Sequence, residues 1–593
     1  MKSFNKINTA RFNRTIKTLA LGAVVAMTCS CDDFLTIYPT DKVILENYWS
    51  EKADVENMVA NSYASMLSNS FVQNILVWGE VRSESFIGTT DLKGDLKNIN
   101  DANLLSSNGY CNWSQFYYII NNCNIVMKYA PEVMEKDPNY TEGDYKVTKG
   151  EMLAIRALCH FYLVRTFRNI PLLTEAMIDD SQDLYQPQVT PLEALDQIYN
   201  DLKEAEFLVL ESDAYPSMAN NRGRITRDAV RAMIADVLLW KAAFQSYESD
   251  SDCSSYYTEC IAYCDEIINS RMAYIEEQKE NSGASLDGEE ETLEYPLNTI
   301  KVDSKGEPDG IYYNPAYTNV FYIGNDEVEG IFEINFGSSI DDANYMVPAI
   351  FGYDGKTGPF SASSYMAQKG ELYIEKDFRR ASFVCLSQDM ETLPIAKYTT
   401  TYLEDLKTFL YSYKTTTVNQ KEGHGRKDQR YSPNQNFIIY RMADVMLMKA
   451  EALAYRRNDS IENDGVKAFE MVKAVWDRSN PAAKAVDTIQ YKSSIIDLQN
   501  LVLEERHREL AFEGKRWYDL VRRALYEKST AGILDIFVNR KYTSGGEAIK
   551  SKIPGIDYLF FPIAEREINT NPLLVQNPAY EKEDFFNKNQ IPL

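Results

Sequence analysis

The sequence has few of the residues and motifs on which enzymes and metalloproteins depend. Only three of its 593 residues are histidine, and none stands at a metal-ligand spacing such as His-Glu-x-x-His. It has no phosphate-binding loop, no dinucleotide fingerprint and no Gly-x-Ser-x-Gly elbow around a nucleophile. We therefore predict that the protein is not an enzyme, that it uses no cofactor, and that its functional site contains no metal-binding residues.

Positive charge is scarce as well. The chain has 62 lysines and arginines against 87 acidic residues, which gives a formal net charge of −25 at pH 7. A surface of this sign repels phosphate backbones. The charge balance therefore argues against nucleic acid as a partner.

Cysteines and long apolar runs are also limited. The nine cysteines have irregular spacings and include no Cys-x-x-Cys pair, so they do not resemble a disulfide framework. The apolar run 18–27 follows a basic segment and is too short to span a bilayer, which is typical of a signal peptide. It ends in Thr28-Cys29-Ser30-Cys31, and small residues before a cysteine resemble a bacterial lipoprotein cleavage site. The alternative is an ordinary secretory signal with a free cysteine nearby.

Helical periodicity is what the sequence does contain. Thr190 before Pro191, and Thr226 before a first turn with Asp228, are typical helix starts. Apolar residues recur at helical spacing through the first half, and alanines stand where neighbouring helices would meet. Helices in antiparallel pairs indicate a helical-repeat scaffold. The spacing predicts helices over 53–67, 111–129, 150–167, 191–210 and 254–270, and a further one after Thr226.

The segment 494–523 combines apolar residues with buried charge. It predicts a helix that ends at Gly514 and a second helix that begins near Arg516. Glu505 and Glu509 lie on the apolar face of the first helix, so each needs a positive partner, and Arg516 and Arg522 are the nearest candidates. The two carboxylates could also be the acid pair of a glycosidase. Carboxylates on adjacent turns of one helix cannot face each other across a cleft, which favours structural ion pairs.

The same segment carries a family resemblance. Its residues 505–523, ERHRELAFEGKRWYDLVRR, closely resemble the C-terminal signature of the SusD/RagB family, the surface glycan-binding lipoproteins of Bacteroidetes. Further stretches resemble the family along the whole mature chain, namely 150–172, 223–230, 439–454, 561–563 and 571–580. The resemblance implies a tetratricopeptide-like repeat. It also favours Cys31 over Cys29 as the lipidated residue, because Cys-Asp-Asp-Phe-Leu resembles the start of a mature member.

The resemblance also points to two stretches as the ligand surface. Sugar recognition needs flat aromatic faces and planar polar groups held by loops on a rigid frame. The stretch 76–92 and the irregular, aromatic-rich stretch 343–368 fit this need, and a short strand is predicted over 328–335. Trp78 could equally belong to the core, and Arg82 could pair with Glu80 or Glu84. The candidate ligand-binding residues are Trp78, Arg82, Asp91, Tyr345, Phe351 and Tyr353.

The predicted architecture is mainly α, a tetratricopeptide-like helical-repeat scaffold with irregular loops and a few short strands. We predict a signal peptide over 1–30 and a single domain over 31–593. Repeat helices cover about 51–272 and 435–525, and the loop-rich ligand-binding part covers about 76–110 and 273–434. The resemblance implies a lipid-anchored outer-membrane protein at the cell surface. Such a protein captures oligosaccharide or polysaccharide and delivers it to a SusC-like TonB-dependent transporter. The alternatives are a RagB-like protein that binds oligopeptides and a repeat scaffold that binds no small ligand.

Overall fold

The structure is a computed structural model, and it describes residues 48–581 with internal gaps. The gaps fall at 180, 282–292, 301 and 303–314, at several places between 338 and 434, and at 459–461 and 543–544. The predicted signal peptide and Cys31 lie outside the described residues.

Helices make up most of the described chain, so the predicted mainly α fold is confirmed. Their starts follow local chemistry: the Thr190 hydroxyl caps the helix that begins at Pro191, and Thr141 and Asp144 form a capping box. Thr226 also precedes a helix, but its side chain makes no capping hydrogen bond. The helices are α1 (Lys52–Ser65), α2 (Asn69–Leu76), α3 (Gly94–Asn100), α4 (Ser114–Lys136), α5 (Glu142–Phe167), α6 (Pro191–Glu206), α7 (Met218–Gly223), α8 (Arg227–Glu248), α9 (Ser254–Asn281), α10 (Pro315–Thr318), α11 (Met346–Ile350), α12 (Ser364–Ala367), α13 (Phe378–Phe383), α14 (Met442–Arg456), α15 (Asp464–Ser479), α16 (Ile495–Leu510), α17 (Arg516–Glu527), α18 (Ala531–Lys541), α19 (Gly546–Lys550) and α20 (Glu565–Thr570).

The long helices pack side by side in a continuous series. Helix α1 packs on α4, α4 on α5, α5 on α6, and α6 on α8. The series continues from α8 to α9, then to α14 and α15, while α16 lies against both α14 and α15. Helix α17 returns to pack on α8. Each helix thus buries its apolar face on its neighbours, as in a helical-repeat scaffold.

The strands are short and form small antiparallel sheets. Strand β4 pairs with β11, β1 with β7, β2 with β3, and β5 with β6, while β8 lies between β9 and β10. The stretch 343–368, predicted to be irregular, contains α11, α12 and three of these strands. The strands are β1 (Phe86–Gly88), β2 (Ile170–Pro171), β3 (Gln188–Val189), β4 (Gly330–Ile334), β5 (Gly352–Tyr353), β6 (Lys356–Thr357), β7 (Phe360–Ala362), β8 (Thr400–Leu403), β9 (Thr408–Leu410), β10 (Gln429–Arg430) and β11 (Phe437–Arg441).

One contiguous apolar core joins the helices to the loop-rich segments. It contains Trp49 near the start of the described chain and Leu574 near its end, together with residues of β4, β7 and β11. Six cysteines lie buried in this part of the chain with no disulfide bond between them. Among the described helices, none is both long and apolar enough to cross a bilayer.

Candidate functional site

The two stretches predicted to form a ligand surface lie next to each other. Strand β1 pairs with β7 so that Phe86 lies opposite Ala362 and Gly88 opposite Phe360. Backbone hydrogen bonds extend the junction at both ends, from Ser363 N to Ser85 O and from Thr89 N to Pro359 O, each 3.0 Å long. The stretches 76–92 and 343–368 therefore form one structural unit, which we name the strand junction.

Trp78 is a core residue of this unit. Its side chain is fully buried in the π-helical turn Val77–Val81. Its ring centroid lies 4.8 Å from that of Phe116, and its indole Nε1 donates a hydrogen bond to Tyr110 O at 2.8 Å. No ring face is left for a sugar, so the expectation that Trp78 binds ligand is wrong and the alternative core assignment is correct.

Arg82 is also buried, with 5% of its surface exposed. It donates hydrogen bonds to the backbone oxygens of Tyr558 and Leu559, at 2.7 and 2.8 Å. Its guanidinium carbon lies 4.2 Å from the centroid of the Trp517 ring. The predictions of a ligand contact, and of an ion pair with Glu80 or Glu84, are both wrong. The reason is that the C-terminal segment covers Arg82 and satisfies its donors.

The remaining candidates divide into buried and exposed residues. Phe351 is buried, 5.9 Å from Phe86 between ring centroids, so its assignment as a ligand contact is also wrong. Asp91 and Tyr345 are exposed, the latter with 38% of its surface. Tyr353 belongs to β5, but its side chain is not among those described. The strand junction therefore presents Asp91 and Tyr345 at its surface.

Glu505 and Glu509 are fully buried and paired, as predicted. Arg508 of the same helix donates to Glu505 Oε2 at 2.7 Å, but the other partners come from distant segments. Arg379 Nη1 donates to Glu505 Oε1 at 2.6 Å and to Glu509 Oε2 at 3.1 Å. Arg441 Nη1 lies 2.8 Å from Glu509 Oε1, and Arg478 donates to the same oxygen. Burial raises the pKa of Glu509, but the three guanidinium groups lower it well below its ordinary value.

Arg516 and Arg522, the predicted partners, bind other carboxylates. Arg516 Nη2 donates to Glu84 Oε1 at 2.6 Å, and Arg522 Nη2 donates to Glu451 Oε2 at 2.7 Å. The pairing of these two arginines with the α16 carboxylates is therefore wrong. Helix α17 directs Arg516 towards the turn after α2 and Arg522 towards α14, away from the face of α16 that carries Glu509.

A further buried carboxylate, Glu80, ties the strand junction to the α16–α17 turn. Its two oxygens accept hydrogen bonds from the backbone N–H groups of Phe512, Lys515 and Arg516, at 3.0, 3.0 and 3.2 Å. Glu80 thus satisfies donors that the start of α17 would otherwise leave unpaired. Sequence reasoning treated Glu80 only as a partner of Arg82, because its real partners are backbone groups more than 430 positions away.

The buried carboxylates act as structural ion pairs and not as acid–base groups. Glu505 and Glu509 lie on a single helix, are held by arginines from several segments, and have no exposed surface to meet a substrate. In the described part of the chain, no group of three or more His, Cys, Asp or Glu residues could hold a metal ion. What this region can do chemically is hold the strand junction rigidly in place.

Comparison with known proteins shows which family this chain resembles along most of its length. Residues 379–580 match the model of the SusD family, and residues 34–239 match a family described as starch-binding, associating with the outer membrane. SusD-like protein P38 of Formosa agariphila is 23% identical over 567 residues, which cover 93% of this chain and 96% of that protein.

Solved structures show the same fold. A SusD homolog from Bacteroides thetaiotaomicron superposes with a TM-score of 0.64 at 17% identity, covering 90% of this chain and 98% of that one. A laminarin-binding SusD-like protein superposes with a TM-score of 0.58 at 19% identity, covering 90% and 100%. The two family matches, over residues 34–239 and 379–580, together cover most of the chain, which therefore belongs to the SusD/RagB family.

Proposed function

We propose that the protein is a cell-surface lipoprotein that captures oligosaccharide and delivers it to a SusC-like TonB-dependent transporter. The observation that carries glycan capture is the strand junction, which unites the two stretches 76–92 and 343–368 on a rigid helical frame. Loops held on such a frame are the usual location of binding sites. Glu80 and the β1–β7 pairing fix the junction, and Asp91 and Tyr345 lie at its surface.

Family membership supports glycan as the ligand class. One matching family is described as starch-binding and associated with the outer membrane, and one similar structure is that of a laminarin-binding protein. Tyr345 offers an aromatic face for the apolar side of a sugar ring, and Asp91 offers carboxylate oxygens to hydroxyl groups. An exposed aromatic residue and an exposed acid are therefore the first candidates for ligand contacts.

Delivery to a transporter and lipid anchoring are further parts of the proposal. Both rest on the family resemblance of the C-terminal signature and on the Cys31-Asp32-Asp33 sequence, which lies outside the described residues. An anchored capture protein also keeps its ligand close to a transporter in the same membrane, which raises the effective concentration of that ligand.

Calorimetry of the purified mature protein tests glycan capture. The parent is titrated with maltohexaose and laminarihexaose, and with a neutral oligopeptide of similar length. We expect binding of at least one of the two sugars, and the Tyr345→Ala variant to bind about fivefold more weakly, since one stacking contact contributes on the order of 1 kcal/mol. Binding of the peptide alone would favour oligopeptide uptake, and binding of none of the three would favour a scaffold.

Tyr491→Ala is the matched control. Tyr491 is an exposed tyrosine that precedes α16, whereas Phe86 of the junction contacts Phe512 just beyond the other end of that helix. A helix of 16 residues is about 24 Å long, so this control removes a tyrosine far from the junction. Equal weakening in both variants, or none in Tyr345→Ala, would remove Tyr345 from the binding site.

A further inference from the structure

A cleft of about 1100 Å³ lies among the repeat helices. Its walls are α1, the first turns of α5, helix α7 and the end of β4, and none of its lining residues belongs to the stretches 76–92 or 343–368. The cleft is therefore distinct from the strand junction. It is large enough to hold one or more sugar rings, because pockets for small ligands typically have volumes of roughly 300–1,000 Å³.

A fixed arginine forms part of the cleft wall. The guanidinium carbon of Arg224 lies 4.9 Å from the ring centroid of Tyr215 and 5.8 Å from that of Tyr63. Its Nη2 donates to Oε2 of the fully buried Glu151 at 2.7 Å, and the Tyr215 hydroxyl donates to Oε1 of the same carboxylate. These contacts hold the plane of the guanidinium group in one orientation.

Part of this guanidinium group remains available to a ligand in the cleft. The Arg224 side chain is 37% exposed, and its Nη1 has no hydrogen-bond partner among the described residues. The neighbouring Tyr63 ring is half-buried and also lines the cleft. An aromatic ring beside a planar donor is an arrangement that suits a sugar, whose ring has an apolar face and a rim of hydroxyl groups.

Two amide side chains lie close by. Asn335 Nδ2 donates to Ala219 O at 2.7 Å, while its Oδ1 has no hydrogen-bond partner in the described part of the chain. Gly223 permits this approach, because a Cβ atom there would lie 2.3 Å from Asn335 Nδ2. Asn220 is exposed in the same wall. Asn335 Oδ1 is itself buried, so the exposed amide of Asn220 is what the cleft offers to a ligand besides the arginine.

The charges in the cleft wall favour a neutral ligand. Lys52 and Arg224 lie among three carboxylates, those of Glu56, Asp144 and the fully buried Glu333, and Lys52 Nζ lies 2.9 Å from Asp144 Oδ1. A strongly acidic or basic ligand would meet groups of its own sign together with groups of the opposite sign. A neutral polyhydroxylated ligand can use both donors and acceptors without a net electrostatic penalty.

We propose that this cleft is a second carbohydrate site, which binds a neutral sugar ring of an oligosaccharide. The ring stacks on Tyr63, and its hydroxyl groups bind Arg224 Nη1 and the amide of Asn220. The ligand class rests on the proposed glycan capture, whereas the location does not. A second site on the same chain would strengthen binding of a long glycan by holding it at two points.

Hydrogen–deuterium exchange locates binding without reference to the strand junction. The mature protein is measured with increasing maltohexaose or laminarihexaose. We expect saturable protection of peptides covering 52–66 and 218–225, in addition to any protection of 86–92 and 343–351. Protection confined to the strand junction would overturn the second site while leaving glycan capture intact. Protection of neither region by either sugar would overturn both proposals.

A paired substitution on α1 provides the control. Ala60 is exposed and lines the cleft, whereas Ala53 is exposed on the same helix but does not line it. Ala60→Trp should place a large side chain in the cleft, so that about ten times more sugar is needed for the same protection of 218–225. Ala53→Trp should leave that sugar concentration unchanged. If both variants melt like the parent and need the same sugar concentration for protection, the cleft is not a sugar site. Protection of the cleft by a neutral tripeptide but by neither sugar would likewise overturn it, in favour of a peptide site.

Discussion

Arg441 Nη1 lies 2.8 Å from Glu509 Oε1, and this ion pair joins the end of β11 to the last turn of α16. Both side chains are almost completely buried. Arg379 and Arg478, which come from α13 and α15, bind the same carboxylate. One glutamate thus connects α13, in the loop-rich part of the chain, to β11 and to helices α15 and α16 of the scaffold.

Removal of this glutamate should destabilise the fold. Glu509→Ala leaves three buried guanidinium groups without their shared carboxylate, and breaking a buried ion pair costs about 3–5 kcal/mol. Asp497→Ala removes an exposed carboxylate from the first turn of the same helix, where it favours the helix dipole, and should lower the free energy of unfolding by less than about 1 kcal/mol. Urea unfolding of both variants measures the difference. A Glu509→Ala variant as stable as the parent would contradict the structural role.

Asp444 should contribute to acid sensitivity. Burial raises its pKa, but Lys515 and Arg506 outweigh this effect and lower the pKa to about 2. Because the folded-state pKa lies below the ordinary value of 3.8, the stabilisation is complete above about pH 4 and is lost as the pH falls towards 2.

The Asp444→Asn variant tests this pH dependence. It should be less stable than the parent at pH 7, and the difference in the free energy of unfolding should shrink between pH 4 and pH 2.5. Chemical unfolding of both proteins at several pH values gives that difference directly. A difference that stays constant over this range would show that the Asp444 carboxylate does not titrate in the folded state as described.

Gly79 should tolerate no side chain. A Cβ atom at this position would lie 1.8 Å from Gly514 O and 2.9 Å from Tyr518 Cε2. The obstacle is backbone, so the α16–α17 turn must move, and Gly79→Ala should destabilise the protein by about 3 kcal/mol. Gly555→Ala is the control, since a Cβ atom there meets nothing within 4 Å. Thermal melting of the pair measures the effect, and similar melting temperatures would refute the close approach.

Cys31 should carry the lipid. In cells that process lipoproteins, Cys31→Ala should abolish incorporation of labelled fatty acid and release the protein from the membrane fraction. Cys29→Ala should retain the label, because Cys29 is removed with the signal peptide. Label on the Cys31→Ala protein would identify Cys29 as the anchor.

The sequence by itself was sufficient for the mainly α architecture and for the family. Helix starts such as Thr190-Pro191 follow from local chemistry that needs no tertiary contact, and Gly514 marks the break between α16 and α17. The apolar face of α16 also predicted that Glu505 and Glu509 are buried and need positive partners. Amphipathic periodicity over long segments is the strongest signal that a single sequence carries.

Only the tertiary structure decided which residues meet. Arg379, Arg441 and Arg478 reach Glu509 from segments 31 to 130 positions away, and no helical spacing could indicate them. For the same reason Trp78 and Arg82 looked like binding residues, whereas Phe116 and the carbonyl oxygens of the C-terminal segment cover them. The helical pattern is set by contacts within a few turns. The partner of a buried charge depends on chain segments that only folding brings together. So does the choice between core and surface for an aromatic or basic side chain.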